Sequence, residues 1–397
     1  MYSGTNMKKP SLGKYIKAEL TDSDIPLSAS LKLRIIGLKL YIENSILRFF
    51  TRILFRPATH PKKILVFRTG SLGDSINAIP ALHAIKDTFP DAQIDILTNA
   101  GLKNLVGMRY LLDKNLYHEI IDYYGMPKRE LFRFLKEKQY DCVIQLPQAN
   151  AVFHRVLRDL LVFRGISKSG IGWYTSHTGL FRKTQAKYLI FNNEHEKLLA
   201  HLRQPGFKTN QLTPILNPSN ADKEFVQHLL HENGLNDGKK KLCVVIGAKR
   251  PQNRWPIGYF KVVIEHFAPS VHILLIGSQE DRLLAEPLLG IQHVHNFCGL
   301  LTPMQSAAMF GMSDLTLSND TGPMHMSYAV STPTIAIFSA RDLPGKWYPP
   351  VENNLVLRAK GIACEACMSE VCHNNICMQA ILPEQVIEAV EHFLDKV

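Results

Sequence analysis

The sequence predicts an α/β protein of two units facing each other across a cleft, with an N-terminal helical extension. Three observations predict it. From Lys62 onward, short apolar runs alternate with helix-period segments, the rhythm of parallel sheets covered by helices. A polar, proline-bearing stretch from Leu212 to Asn220 interrupts that rhythm, which then restarts. The chain has 397 residues and is 46% apolar, enough for two cores of ordinary domain size. The boundaries drawn are 1–60 for the extension, 61–215 for the first unit and 216–397 for the second.

Residues 1–60 stand apart. Leu31 to Arg56 reads as one helix, with Ile35, Leu38, Ile42, Ile46, Phe49, Phe50 and Ile53 at helical spacing. Lys32, Arg34, Lys39, Arg48, Arg52 and Arg56 share it with a single acid, Glu43. Such a helix can lie on an anionic membrane face, or pack on the protein body with its arginines in solvent. Both readings stay open. Upstream, Asp22-Ser23-Asp24 suits a helix cap better than a metal site. The first residues carry lysines without an apolar core behind them, unlike a secretory signal. No stretch reaches the roughly 18 uncharged apolar residues of a membrane span. The expectation is a cytoplasmic chain, with peripheral contact at the inner face of the membrane if the helix docks there. Its seven cysteines are then reduced.

In the first unit, "KILVF" reads as a strand, "SINAIPALHAIKDTF" as a helix, "QIDILTN" as a strand, "PKRELFRFLKEK" as a basic helix and "YDCVIQL" as a strand. In the second, "DKEFVQHLLHENG" is a helix closed by Gly234. "KLCVVIGA", "HILLIGS", "DLTLSND" and "TPTIAIFS" are strands, and "LPEQVIEAVEHFLDK" is a helix opened by Pro383-Glu384. No internal repeat or low-complexity tract is apparent.

Three strand-to-helix turns carry the chemistry. The first, "FRTGSLGDSINAIPALHAIK", has Gly70 and Gly73 in the turn and Asp74 directly after. A glycine turn leading into a helix suits an anion, so the carboxylate there needs a reason. The turn lacks the G-x-G-x-x-G order of a dinucleotide site, and the next strand ends in Leu97-Thr98-Asn99 without an acid for a ribose. No G-K-[ST] follows any glycine loop. Dehydrogenase and P-loop readings therefore fail. The second turn, in "LSNDTGPMHMSYAV", places Asp320, Thr321 and Gly322 before a helix with Pro323 at its start. Free first-turn N–H groups there can hold a diphosphate, with Thr321 as a further donor and His325 one turn on; simple capping by Asp320 and Thr321 is the plainer alternative. The third, "GAKRPQNRWPIGYF", brings Lys249, Arg250 and Arg254 to the edge of the cleft beside Trp255, where cations can neutralise a departing diphosphate. The net charge of +11 and pI near 9.2 also favour an anionic partner, whether membrane, phosphorylated substrate or nucleic acid. No aromatic-interleaved basic stripe of a nucleic-acid reader is present.

Together, "RTGSLGDSINAIPAL", "NRWP" and "SNDTGPMHMSYAVSTPTIAIF" resemble glycosyltransferase family 9, the ADP-heptose:lipopolysaccharide heptosyltransferases and their relatives. The resemblance runs from about Lys62 to the C-terminus. It implies the GT-B architecture, two Rossmann-like domains with the acceptor on the first and the nucleotide-sugar donor on the second. It also implies inversion at the anomeric carbon, no metal requirement for catalysis, and a glycolipid acceptor. Asp74 matches the family's general base, which takes the proton of the attacking sugar hydroxyl. Asp320, Thr321, Gly322 and His325 match its D-T-G-x-x-H at the diphosphate. Arg254 stands where heptosyltransferases typically carry Lys, exchanging a point charge for a planar fork. Glu280 falls near the donor ribose and Met304 near the adenine. The chain departs from the pattern in its N-terminal extension and in a donor-side loop lacking hydroxyl residues, which leaves the donor sugar open. The expected activity is transfer of a heptose from ADP-heptose to a lipopolysaccharide-core or related acceptor. The alternatives are a related transferase with another nucleotide sugar, or a non-catalytic nucleotide-sugar binder.

Cys364, Cys367, Cys372 and Cys377 form C-x₂-C-x₄-C-x₄-C around His373. Four sulfurs so close suggest zinc or an iron–sulfur centre, although the spacing matches no standard ribbon. A structural metal and unligated or disulfide-paired cysteines both remain open. Cys142, Cys243 and Cys298 sit in or beside apolar runs and read as core.

Overall fold

A computed structural model describes residues 16–18, 27–99, 107–176, 178–181, 189–203 and 205–396. The Asp22-Ser23-Asp24 run lies outside them. The chain opens with β1 (Ile16–Ala18) and the long helix α1 (Leu27–Leu54). The first unit follows as β2 (Lys63–Phe67), α2 (Leu72–Thr88), β3 (Gln93–Thr98), β4 (Glu119–Asp122), α3 (Lys128–Glu137), β5 (Cys142–Gln145), α4 (Phe153–Arg164), β6 (Gly170–Ile171), β7 (Leu189–Phe191) and α5 (Glu194–Arg203). β1 pairs antiparallel with β7. Strands β2 to β6 make one parallel sheet in the order β4-β3-β2-β5-β6. Its central strands are buried on both faces, which is why they read as unbroken apolar runs.

Among the described residues, no helix or strand lies between Arg203 and Asn220. The second unit then comprises α6 (Asn220–Glu232), β8 (Lys241–Val245), α7 (Ile257–Phe267), β9 (His272–Leu275), α8 (Asp281–Leu284), β10 (Val294–Asn296), α9 (Pro303–Gly311), β11 (Leu315–Asn319), α10 (Gly322–Ala329), β12 (Thr334–Phe338), β13 (Asn354–Arg358), α11 (Ile376–Gln379) and α12 (Pro383–Leu394). Its six parallel strands run β10-β9-β8-β11-β12-β13. Gly234 ends α6 with a φ of 68°, the left-handed conformation that a helix terminator needs and glycine adopts without strain.

Both sheets are doubly wound. The chain starts in mid-sheet at β2 or β8, builds outward on one side, then returns to build on the other. In such sheets ligands bind beyond the carboxyl ends of the strands at the point of reversal. The turns at Gly70, at Lys249 and at Asp320 all leave the carboxyl ends of β2, β8 and β11. The topology thus delivers the three motifs to one region.

The extension resolves differently from either sequence reading alone. One face of α1 packs on the body through Ala29, Leu33 and Leu47, and Phe55 follows Leu47 into the core under the first sheet. Asn44 clamps it there, accepting from the Thr175 amide at 2.9 Å. The apolar residues at helical spacing lie on the opposite face: Ile35, Leu38, Ile42, Ile46, Phe49 and Ile53 are all exposed, between 38% and 63%. Only Phe50 of that set joins the core side. No helix among the described residues is long and apolar enough to cross a membrane.

Several elements carried no readable signal. Strands β4, β6, β7 and β10 are two to four residues long, too short for a period to show. Helix α4 begins after Val152 without a capping side chain, and α5 begins among polar residues that turn out to be buried.

Candidate active site

The first turn is braced from below. Asn99, at the end of β3, accepts from the Gly70 amide and donates to the Gly70 carbonyl, both at 2.8 Å. A Cβ on Gly70 would collide with the Asp74 side chain, so the glycine makes room for the carboxylate to fold back over the turn. Asp74 Oδ2 accepts from the Ser71 amide at 2.9 Å and hydroxyl at 2.8 Å. Its other oxygen lies 3.3 Å from Arg68 Nη2. Asp74 therefore also caps its own helix, and this leaves one side of the carboxylate to other partners.

Arg68 is the residue the sequence reading passed over. It is buried, and Nη1 donates to the Pro147 carbonyl. Its guanidinium also pairs with Glu194 Oε1 at 3.3 Å, and Glu194 pairs in turn with Lys197. Burial lowers the Lys197 ammonium against the pull of Glu194. Two cations and two carboxylates thus alternate as Asp74, Arg68, Glu194, Lys197. Asp74 has 18% of its side chain exposed, against 1% for Glu194. It is the carboxylate of this chain of charges that a ligand can reach. Arg68 sits immediately before the glycine turn in "FRTGSLGD", but an arginine beside a loop has no pattern that distinguishes a buried partner from a solvated charge.

The second turn meets the first directly. Helix α10 packs against α2 with no side chain on the contacting glycines: a Cβ on Gly73 would stand 2.7 Å from His325 Cδ2, and one on Gly322 would stand 2.5 Å from Leu72 Cδ2. His325 is buried in this contact instead of lying on the surface. Its Nδ1 lies 2.8 Å from the Tyr328 hydroxyl and 3.2 Å from Asn77 Nδ2, and Asn77 Nδ2 also donates to the Gly73 carbonyl. That pattern assigns the proton to Nε2, which faces α2. Asn77 Oδ1 receives His195 Nδ1 at 3.1 Å. Burial pushes the His325 imidazole down to about 4, against the field of Asp74, and burial with the neighbouring His325 pushes His195 down to about 3. Both rings are neutral at pH 7, so His325 offers an N–H and no charge.

Thr321 precedes α10 in extended conformation, and its side chain makes no capping hydrogen bond. The capping alternative fails here. Asp320 is turned to other work: its Oδ2 accepts from Asn253 Nδ2 at 2.9 Å. Asn319 holds the same loop, donating to the Ile246 carbonyl at 2.8 Å and accepting from the Trp255 amide at 3.0 Å. The pair fixes Gly247 to Trp255 against β11. Burial, then the nearby Asp342, push the Asp320 carboxyl up to about 7. Burial acts in the same sense on Asp342, but Lys346, the Leu343 amide, Arg341 and Trp347 outweigh it and hold that carboxyl below its usual range.

The remaining expected residues lie elsewhere on the second unit. Lys249 is exposed on its loop. Arg254 is half-buried and its Nε donates to the Ala248 carbonyl at 2.9 Å. Glu280 is exposed just before α8, while its neighbour Asp281 takes the Ser278 amide and hydroxyl, both at 2.8 Å, and fills the space over Gly247. Met304, in the first turn of α9, packs half-buried on the core.

The family model for glycosyltransferase family 9 (heptosyltransferase) matches residues 128–377. The chain belongs to glycosyltransferase family 9. This glycosyltransferase is 27% identical over 339 residues to lipooligosaccharide heptosyltransferase 2 of Campylobacter jejuni serotype O:6, covering 83% of this chain and 98% of that one. Its fold is GT-B, similar to that of a family 9 glycosyltransferase from Veillonella parvula, with a TM-score of 0.68 at 21% identity over 85% of this chain and 98% of the other. It is also similar to the ADP-heptose lps heptosyltransferase II of E. coli, with a TM-score of 0.62 at 20% identity over 84% and 99%.

The Asp320 environment makes a prediction. A carboxyl raised in the folded state stabilises fully below its unfolded value, near 4, and loses that contribution as pH rises towards 7. Asp320→Asn should therefore match the wild type near pH 4 and be the more stable protein at pH 8. The gap should be at most about 4 kcal/mol, and smaller in practice because Asp320 keeps some solvent contact. Urea unfolding across that range checks it; a gap that does not change with pH contradicts the assignment.

Proposed function

We propose that this family 9 enzyme transfers a heptose from ADP-heptose to a lipopolysaccharide-core or related glycolipid, by single inverting displacement without a catalytic metal. The carrying observation is that Asp74 and the N-terminus of α10, which lacks a capping side chain, are pressed to the same gap by the contact of α2 and α10. Its relatives, a lipooligosaccharide heptosyltransferase and an ADP-heptose lps heptosyltransferase, support the sugar and the acceptor.

In this reading residues 61–215 hold the acceptor and 216–397 the donor. Asp74 takes the acceptor proton as its oxygen attacks the anomeric carbon from the face opposite the diphosphate. Arg68 and Ser71 orient the carboxylate. The amides of α10 and the Thr321 hydroxyl receive the diphosphate, where the helix dipole favours negative charge. Lys249 and Arg254 add charge as it departs, the role a metal fills elsewhere. His325 donates from a neutral ring. Glu280 and Met304 lie towards the ribose and adenine. Leu72 lies over Gly322, and in this reading the units part for donor entry and close for reaction.

Asp74→Asn should lower kcat by about 10²–10⁴, the usual worth of a general base, with nucleotide-sugar affinity retained and turnover indifferent to EDTA. Turnover near the wild-type rate in a defined donor and acceptor assay sinks this assignment.

We also propose that α1 seats the enzyme on an anionic membrane, where a lipid-anchored acceptor would be met. At about 100° per residue, Leu31, Ile35, Leu38, Ile42, Ile46, Phe49 and Ile53 form a stripe opposite Leu33 and Leu47. Lys32 and Lys39 border one edge, and Arg34, Arg48 and Arg52 the other. The acid, Glu43, faces the body, 3.4 Å from the Thr175 hydroxyl. Cations flanking an apolar stripe suit the headgroup boundary, each worth about 1 kcal/mol near an anionic surface. Because Leu47 and Phe55 belong to the core, deletion of the helix is a poor test and surface changes are the better one. Ile35→Ser/Ile42→Ser/Phe49→Ser should abolish co-sedimentation with phosphatidylserine vesicles and leave the melting temperature unchanged. Equal vesicle binding by both proteins, or a wild-type dimer that the triple variant dissociates, contradicts the membrane reading.

A further inference from the structure

Cys364, Cys367, Cys372 and Cys377 lie between β13 and α12, and nothing in the proposed chemistry uses them. All four line one cavity, with Gln252 and Arg341 among its walls. This sets them apart from Cys142, Cys243 and Cys298, which are buried in the two sheets or against them. No disulfide joins any described cysteine.

The backbone is shaped around the sulfurs. Ala366, Met368 and Asn375 have φ of 54°, 52° and 41°. Non-glycine residues adopt this left-handed region at a cost of order 1 kcal/mol or more each, and only where surrounding structure compensates. Two of them flank Cys367 and the third stands two residues before Cys377. Two amides point at sulfur: Ser369 N–H donates to Cys367 Sγ at 3.5 Å, and Asn375 N–H to Cys372 Sγ at 3.3 Å. Such N–H donors to sulfur are the usual outer support of metal-bound cysteine. Arg341, itself buried, adds positive charge at the wall. Gln252 is buried too, and its Oε1 has no hydrogen-bond partner.

We propose that Cys364, Cys367, Cys372 and Cys377 bind a single zinc ion as a tetrathiolate. No three of the sulfurs lie within 4.8 Å of one another among the described residues. Coordination at the roughly 2.3 Å zinc–sulfur distance draws the exposed pair, Cys364 and Cys372, inward. The ion fixes a segment that grips the loop ahead of α7. Glu370 pairs with Arg250 at 3.3 Å and Arg341 at 3.0 Å, its carbonyl receives Gln252, and Asn375 Nδ2 reaches the Arg254 carbonyl at 3.3 Å. Zinc is thus a staple that holds Arg250 to Arg254 against the second sheet.

Full-length protein, purified without chelator, should carry about one zinc per chain by mass spectrometric metal analysis, as a closed four-ligand site requires. Cobalt replacement should give the intense visible bands of a tetrahedral thiolate site together with a thiolate-to-cobalt charge-transfer band. Cys364→Ser/Cys372→Ser should lose bound zinc at least tenfold while keeping the wild-type circular dichroism, because both side chains are exposed. A wild-type chain that holds no metal and gives no charge-transfer band with cobalt overturns the proposal, whatever the variant does. Iron with a sulfide chromophore overturns the choice of zinc, and a double variant that keeps its zinc overturns the ligand set.

Discussion

Everything at the centre of this molecule depends on how closely two helix starts approach. Helices α2 and α10 touch through Gly73 and Gly322, where a single added carbon has no room. A glycine inside a helix costs about 1 kcal/mol relative to alanine, so Gly73 is retained against local propensity. What it permits is a junction in which the Asp74 turn and the α10 N-terminus share one gap. Both helices direct the positive ends of their dipoles into that gap. A carboxylate on one side is balanced by that field, and an anionic ligand is favoured on the other.

The junction is held by polar groups with little access to water, and that sets its chemistry. Asn77 joins α2 to His195 on α5 and to His325 on α10. Its Nδ2 donor needs the His325 ring neutral, which burial ensures. The Arg68 and Glu194 pair is buried almost completely. Breaking such a pair is costly, because it strands a charge away from water, while keeping it adds little net stability. Its use lies in position: Arg68 is locked by the Pro147 carbonyl and Glu194 and holds Asp74 at a fixed angle to the gap. On the other side, Asn319 and Asp320 do the equivalent work for the loop that carries Lys249 and Arg254.

Much of this was legible in the residues. Alternation gave the two parallel sheets because strands such as Lys63–Phe67 and Thr334–Phe338 are buried on both faces and read as continuous apolar runs. The glycine turns stood out because they interrupt such runs. What they do was less legible. Gly73 and Gly322 read as an anion cradle, yet in the structure they also bring the two units into contact, which depends on residues some 250 positions apart. Asp74 caps its helix through Ser71, whereas Thr321 does not cap its own, and neither outcome shows in residue type. Arg68, Glu194 and Lys197 were missed because a buried ion network has no sequence period. In α1 the evident apolar pattern marked the exposed face, and Leu33, Asn44 and Leu47, which anchor the helix, were hidden between charges.

The most direct test of the central claim is the kinetic effect of one methyl group at the junction. Gly73→Ala places a carbon 2.7 Å from the buried His325 ring and changes neither the Thr321 side chain nor the loop that carries Lys249 and Arg254. If contact between the two turns aligns Asp74 with the donor, kcat should fall by one to two orders of magnitude, the usual consequence of about 1 Å of misplacement. ADP affinity measured by calorimetry should stay within about threefold, since under 1 kcal/mol of binding energy is at stake. An alanine variant that turns over at the wild-type rate would show that the closeness of these helices has no part in catalysis, and would contradict the account.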